Sequence, residues 1–134
     1  MEINELTGTV IESCIKIHST VGPGCYEKVY EEILNYELFK KGIKVERQIY
    51  MPIKYETLFI PKACVMDLLI ENQLIAEIKS IENVLPVHYR QTTTYLKLMN
   101  LKHGMIINFK VNRMKEGIHR VFNNSGNLNL MPSL

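Results

Sequence analysis

Two short apolar segments separated by only three residues constrain the fold of this chain more than any other feature. They cover residues 63–70 and 74–80, and Glu71-Asn72-Gln73 joins them. Segments of this length and composition, ended by polar residues, are typical of β-strands. A three-residue hairpin loop commonly needs one residue in the left-handed region, which Asn72 or its neighbour supplies. We therefore expect an antiparallel hairpin within the sheet.

Charged residues interrupt both strands of this hairpin. Asp67 lies in the first strand, and Glu77 and Lys79 lie in the second. Side chains two residues apart on a strand point to the same face, so Glu77 and Lys79 share a face. Charges inside such strands are costly unless they are paired or used. The sequence thus marks these three residues as candidates for a functional site.

The loop length decides whether the two carboxylates meet. With a three-residue loop, Ile70 pairs with Leu74 and Asp67 pairs with Glu77, and directly opposite residues share a face. With a two-residue loop, Asp67 would lie opposite Ile78 and the carboxylates would separate. The functional interpretation requires the first register.

In that register, a carboxylate pair lies beside a lysine. Hard cations such as Mg²⁺ bind a carboxylate pair plus waters. Such an ion lowers the pKa of a bound water and offsets charge on a phosphate, while Lys79 would position the water or stabilise the transition state. The competing interpretation is a partly buried Asp–Lys–Glu ion network. The Asp ten residues before the Glu, across a plausible hairpin, favours a site.

The remaining elements follow from hydrophobic spacing and from helix-breaking residues. We expect helices over residues 4–20, 25–42 and 86–100, and further strands over 44–55, 105–109 and 117–122. Pro52 indicates an edge position or a bulge in its strand. Two helices, three strands, a helix and a strand, followed by the short segment 117–122, predict an α/β fold with a mixed sheet flanked by helices.

The composition bounds the domain count and the class of protein. A chain of 134 residues suits one domain, which we place at residues 1–124, followed by an Asn-rich, frayed tail at 125–134. A net charge of +2 neither identifies nor excludes a nucleic-acid partner. Three cysteines without CxxC spacing suggest neither disulfides nor zinc. The start resembles no signal peptide and no apolar run reaches membrane-spanning length, so we expect a cytoplasmic protein without a membrane partner.

Two helices carry further polar candidates. Gln91 and Tyr95 are one turn apart on the helix that follows the charged hairpin, and Glu27 lies in the first turn of the second helix. Taken alone, Tyr95 is a core anchor, Gln91 is a solvent-exposed residue, and Glu27 complements the helix dipole.

Together these residues resemble a known family. Asp67, Glu77-Ile78-Lys79, and Gln91 and Tyr95 in the spacing Q-x-x-x-Y resemble the RecB-like branch of the PD-(D/E)XK nuclease superfamily. Segments 17–31, 85–91 and 106–109 look like the small GxxExxxR family within it, and the resemblance covers about residues 6–122. It implies a single-domain restriction-endonuclease-like fold with an αβββαβ core and an extra N-terminal helix. One position departs from the pattern, because the Arg of the family name would fall at Glu31.

The resemblance also implies roles and a function. Asp67 and Glu77 would bind Mg²⁺ or Mn²⁺, Lys79 would be the catalytic lysine, and Glu27 an accessory acid. Two supporting groups would come from the third helix: Gln91 and Tyr95. The predicted function is a metal-dependent nuclease that hydrolyses phosphodiester bonds, with DNA favoured over RNA. The alternative is a catalytically silent nucleic-acid-binding or protein-interaction module on the same fold, and a weaker third is a stress or defence accessory protein. The sequence leaves the oligomeric state open, a homo-oligomer included.

Overall fold

The fold is seen in a computed structural model that describes residues 1–124, 126, 128 and 130. These residues form three helices and five strands, in the order two helices, three strands, a helix and two strands. The helices are α1 (Ile3–Val21), α2 (Glu27–Lys40) and α3 (Pro86–Met99). The strands are β1 (Val45–Tyr55), β2 (Leu58–Ile70), β3 (Leu74–Lys79), β4 (His103–Asn108) and β5 (Ile118–Phe122), and a 3₁₀ turn, Met114–Gly117, precedes β5.

The strands form one mixed sheet in the order β1-β2-β3-β4-β5. Neighbouring strands are antiparallel except β3 and β4, which are parallel. A parallel pair needs a crossover connection, and α3 provides it. The predicted mixed sheet flanked by helices, with an αβββαβ order and an extra N-terminal helix, is confirmed.

A separate hydrophobic core covers each face of the sheet. On one face, α1 and α2 pack against side chains that include Leu68, Ala76 and Ile78. On the other face, α3 packs against side chains that include Leu69 and Ile75. Alternation along β3 therefore places Glu77 and Lys79 towards the α3 face, because Ala76 and Ile78 face α1 and α2.

The β1–β2 hairpin is longer than the sequence indicated. β2 was expected over residues 63–70 but begins at Leu58, because Pro61 interrupts the apolar pattern without ending the strand. The β1–β2 register shifts between Met51 and Ile53, on either side of Pro52, and β1 is an edge strand of the sheet. Both features expected of Pro52 are thus present, and the hairpin arm extends beyond the helix-covered part of the sheet.

The end of the chain contacts the α3 face. Leu128 and Leu130 pack against the core on that side, and the Leu130 carbonyl accepts a hydrogen bond from Lys54 N–H at 2.7 Å. The predicted frayed tail otherwise falls on residues outside the described part of the chain: 125, 127, 129 and 131–134. All three cysteines are free. Among the described residues, no helix combines the length and the apolar character needed to cross a membrane.

Candidate functional site

The candidate site begins where the ladder between β2 and β3 stops. Its last pair is Leu68 with Ala76, and Ile70 pairs with Leu74 at the loop. This is the three-residue-loop register, and the predicted left-handed conformation occurs at Glu71 (φ 52°) and at Asn72 (φ 55°). Continuing the register places Asp67 opposite Glu77, as the functional interpretation required.

Beyond that pair, side chains replace the backbone ladder. The Asp67 N–H donates to Glu77 Oε2 at 2.8 Å, and the Ile78 N–H donates to Asp67 Oδ2 at 2.8 Å. Each carboxylate thus accepts a backbone N–H of the opposite strand. The two acidic groups are held in a gap between two central strands, where neither can swing away without leaving a backbone donor unpaired.

On the neighbouring strand β1, Gln48 supports this gap. It lies opposite Asp67 with φ 49°, which is uncommon for a residue other than glycine. Its Nε2 donates to Glu31 Oε1 at 2.7 Å and to Asp67 Oδ1 at 3.3 Å. The unusual backbone reverses the strand's alternation, since Arg47 turns towards α2 while Ile49 packs on the α3 side. Gln48 therefore links α2 to a carboxylate of the gap.

A buried ion pair fixes the other end of this link. Glu31 is 6% exposed, and its Oε2 accepts from Arg47 Nε at 3.2 Å and from Arg47 Nη2 at 2.9 Å. The same Nη2 also bonds Glu32 Oε1 at 2.8 Å. The resemblance noted in the sequence predicts an Arg at position 31; a carboxylate stands there instead, and a guanidinium from β1 binds it.

Three residues of this arrangement were not among the site residues predicted from the sequence: Arg47, Gln48 and Glu31. One signal was available, because Glu31 adjoins Tyr30 on the buried stripe of α2. A carboxylate on a core-facing stripe needs a partner.

Glu27 approaches the site from the N-terminal turn of α2. Its Oε2 accepts the Ser80 N–H at 3.1 Å, and Ser80 Oγ donates to the Cys25 carbonyl at 2.9 Å. These bonds tie the start of α2 to the end of β3. A cleft of about 340 Å³ opens there, lined by Glu27, Lys28, Glu31, Arg47, Gln48, Asp67 and Ile78.

Lys79 carries a half-buried ammonium beside the two carboxylates. Its charge lowers the pKa of both Asp67 and Glu77, though less than burial raises them. Within the described part of the chain it forms no ion pair with either carboxylate. The geometry therefore differs from the direct Asp–Lys–Glu ion network that was the competing interpretation.

The two α3 candidates lie in different environments. Tyr95 is 6% exposed, and burial raises its pKa to about 12, with the negative charges of Glu77, Cys64 and Asp67 adding to the rise. Gln91 is exposed and does not line the cleft. The structure thus brings Tyr95 close to the carboxylates and leaves Gln91 outside, so a supporting role for Gln91 stays a prediction.

The carboxylates of the gap are electrostatically unfavourable as a pair of anions. Burial raises the pKa of Glu77 to about 8, and the charge of Asp67 adds to the rise; the Asp67 N–H and Lys79 oppose it. Burial likewise raises the pKa of Asp67. A divalent cation between them would favour both ionised forms.

The donor set fits Mg²⁺ or Mn²⁺ better than a metal that demands a full protein cage. Among the described residues, no group of three or more His, Cys, Asp or Glu side chains could hold a metal ion. Mg²⁺ is usually held by one or two carboxylates together with waters and substrate phosphates. Asp67 and Glu77 supply such a pair.

Comparison with known proteins adds one positive finding. The family model described as the PD-(D/E)XK nuclease superfamily matches residues 4–121. The matched range includes α2, α3 and β1 to β4 in full, all but the first residue of α1 and all but the last residue of β5. No curated protein and no solved structure matches the chain.

Proposed function

Because the chain belongs to the PD-(D/E)XK nuclease superfamily, we propose that it is a metal-dependent nuclease that hydrolyses phosphodiester bonds, of DNA in preference to RNA. One observation carries this proposal: the gap between β2 and β3 holds two carboxylates, Asp67 and Glu77, on opposite backbone N–H groups. Beside it lies Lys79, whose ammonium has no ion-pair partner among the described residues. If the two carboxylates served only to stabilise the fold, we would expect a cationic side chain in direct contact with them, because buried charges are destabilising unless they are paired.

Each side chain has a role that follows from its position. Asp67 and Glu77 hold Mg²⁺ or Mn²⁺, which when bound supplies Lewis acidity and positive charge at the scissile phosphate. Lys79 donates to the phosphate and stabilises the charge that grows on it in the transition state. Glu27 serves as an accessory acid at the edge of the cleft, and Tyr95 supports Glu77 from the α3 side.

Gln48 and Glu31 are positioning residues for Asp67. Gln48 keeps one Asp67 oxygen in place, and Arg47 keeps Glu31 in place for Gln48. Within the superfamily, we assign the chain to the GxxExxxR proteins. It differs from their pattern in having Glu31 where the Arg would stand, and Arg47 of β1 pairs with this glutamate.

A catalytically silent binding module is the second candidate. The acidic lining of the cleft and the absence, among the described residues, of a third metal-ligating side chain favour it. Such a module would bind nucleic acid or a protein without any turnover.

Cleavage assays separate the two candidates. Wild type, Lys79→Ala and Glu77→Gln are compared on labelled single- and double-stranded DNA and RNA, with Mg²⁺, with Mn²⁺ or with chelator. Wild type should cleave only with metal, and Lys79→Ala should lower the rate by about 10²–10³ while leaving affinity in chelator nearly unchanged. Glu77→Gln should be equally inactive. Lys115→Ala removes an equal charge from an exposed lysine outside the cleft and should cleave like wild type.

Three results would overturn the proposed nuclease function. Cleavage that persists in chelator or is undiminished in Lys79→Ala would come from a contaminant or from another site. No cleavage by wild type with any metal would establish the silent module.

A further inference from the structure

The arm of the β1–β2 hairpin presents two aromatic rings on one face. Ile49, Met51 and Ile53 pack towards the α3 core, so Tyr50 and Lys54, which alternate with them, project from the opposite face. Phe59 pairs with Lys54 and therefore shares that face. Tyr50 is 55% exposed and Phe59 is 53% exposed. We call the surface formed by Tyr50, Lys54, Phe59 and Lys62 the arm face.

Two ammonium groups accompany these rings. Lys62 Nζ lies 5.0 Å from the Tyr50 ring centroid, and Lys54 is exposed beside Phe59. Neither lysine forms an ion pair with a carboxylate of the described residues. The arm face thus combines exposed π-surfaces with uncompensated positive charge, and neither feature contributes to a core.

The arm face adjoins the cleft. Tyr50 is two residues from Gln48 on β1, and its partner Val65 is two residues from Asp67 on β2. Both Arg47 and the arm face lie on the side of the sheet away from α3. Tyr50 and Lys54 are four residues apart, or about 13 Å along a strand. A flexible polyanion lying along the arm face would therefore reach the cleft on the α2 side of the sheet, where Gln48 and Asp67 lie.

We propose that the arm face binds unpaired nucleotides and that the substrate of the cleft is single-stranded nucleic acid. This inference rests on the proposed nuclease function. Rings stack on bases that are not already stacked in a duplex, and lysines contact the phosphates between them. A duplex would offer its phosphates alone to this surface, leaving both rings without a partner.

Binding in chelator tests the arm face without any cleavage. The probe is a fluorescein-labelled oligothymidine, and its anisotropy is followed with wild type, Tyr50→Ala and Phe59→Ala. Each ring removed should weaken binding by about tenfold. Tyr50→Phe keeps the ring and should bind like wild type. Tyr55→Ala is the matched control, since Tyr55 is 59% exposed on the other face of the same strand.

Salt dependence separates the rings from the lysines. Lys54→Gln and Lys62→Gln should each reduce the slope of log K against log salt by about 0.7, as for one phosphate contact to a single strand. Tyr50→Ala should leave that slope unchanged. Equal melting temperatures of all variants would show that the fold is intact.

Three binding results would overturn the inference: unchanged affinity in both ring variants, an equal loss in Tyr55→Ala, or a duplex of the same length that binds as tightly. Concentration-dependent dimerisation that Tyr50→Ala abolishes would instead identify the arm face as a contact between copies and would also overturn it. The proposed nuclease function can fail without the arm-face inference failing. A wild type that binds the single strand through its rings but cleaves nothing supports the arm face and refutes the nuclease.

Discussion

Glu77 is a carboxyl group in surroundings that oppose its ionisation. It is 4% exposed, and burial followed by the charge of Asp67 raises its pKa from 4.5 to about 8. The fold keeps Glu77 here despite that cost: the Asp67 N–H donates to its Oε2 at 2.8 Å, and the charge of Lys79 favours its ionised form. A residue selected for stability alone would be apolar here, as its neighbours Ala76 and Ile78 are.

This environment predicts an unusual pH dependence of stability in chelator. The unfolded carboxyl ionises near pH 4.5 and the folded one near pH 8. Between these values the folded state binds more protons, so the free energy of unfolding falls as pH rises through that window. Glu77→Gln removes this contribution while keeping an acceptor for Asp67 N–H.

Thermal melts across this pH range test it. The variant should be more stable than wild type near pH 8, and its melting temperature should fall less as pH rises. Glu56→Gln, at the exposed tip of the hairpin, is the control and should follow wild type. Parallel curves for wild type and Glu77→Gln would contradict the raised pKa.

At the scale of elements, the Arg47–Glu31 pair ties β1 to α2. Arg47→Leu leaves a buried carboxylate without its guanidinium and should cost about 1–3 kcal/mol of unfolding free energy. The double variant Arg47→Leu/Glu31→Leu removes both charges and should recover part of that loss. Urea denaturation measures the unfolding free energy of both variants.

The control is Lys44→Leu, which breaks an exposed pair with Glu46 and should cost roughly 0–1 kcal/mol. An equal loss in Lys44→Leu would show that burial of the pair is irrelevant.

The β2–β3 loop provides a second prediction at this scale. Glu71 adopts the left-handed region at φ 52°, where an L residue other than glycine is strained. Glu71→Gly should relieve this and raise the unfolding free energy by up to about 1 kcal/mol, and Glu71→Ala should give no such gain. Urea denaturation of the two variants decides it. A gain with alanine equal to that with glycine would point to charge removal rather than to backbone relief.

The elements also show why some features were predictable from sequence and others were not. The β2–β3 register followed from a loop of three residues, because strand periodicity leaves few ways to close it. The start of β2 was missed because Pro61 looks like a terminator in isolation, yet edge hairpins accommodate it at an irregular pairing. The link through Gln48 could not be predicted either. It depends on a left-handed backbone at a residue with no such preference, and tertiary contacts with Glu31 and Asp67 compensate for it.

At the scale of the whole molecule, the site lies at the seam between two cores. Asp67 and Glu77 come from two central strands, Glu27 and Glu31 come from α2 on one face, and Tyr95 comes from α3 on the other. No local segment contains the site, so it forms only when the sheet and both helical layers have assembled. A ligand of the gap must therefore bind the native state and hardly the unfolded chain.

That linkage makes metal binding measurable without catalysis. A ligand at a hundred times its dissociation constant stabilises the native state by about 2.7 kcal/mol. For a domain of this size, that corresponds to a rise in melting temperature of roughly 10 °C. Mg²⁺ or Mn²⁺ should produce it in wild type, and less at pH 6 than at pH 8, since a proton on Glu77 competes with the ion.

Variants of the ligands identify where the ion binds. Asp67→Asn should abolish the metal response and should itself stabilise the metal-free protein, because it removes one of two neighbouring buried charges. Asp67→Asn keeps the oxygen that accepts the Ile78 N–H, so loss of the fold would not explain a lost response. Sodium chloride at matched ionic strength separates ion binding from screening, which would act on every surface charge alike. A metal response that survives in both Asp67→Asn and Glu77→Gln would place the ion elsewhere. The gap between β2 and β3 would then hold two buried acids with no bound cation to offset their charge.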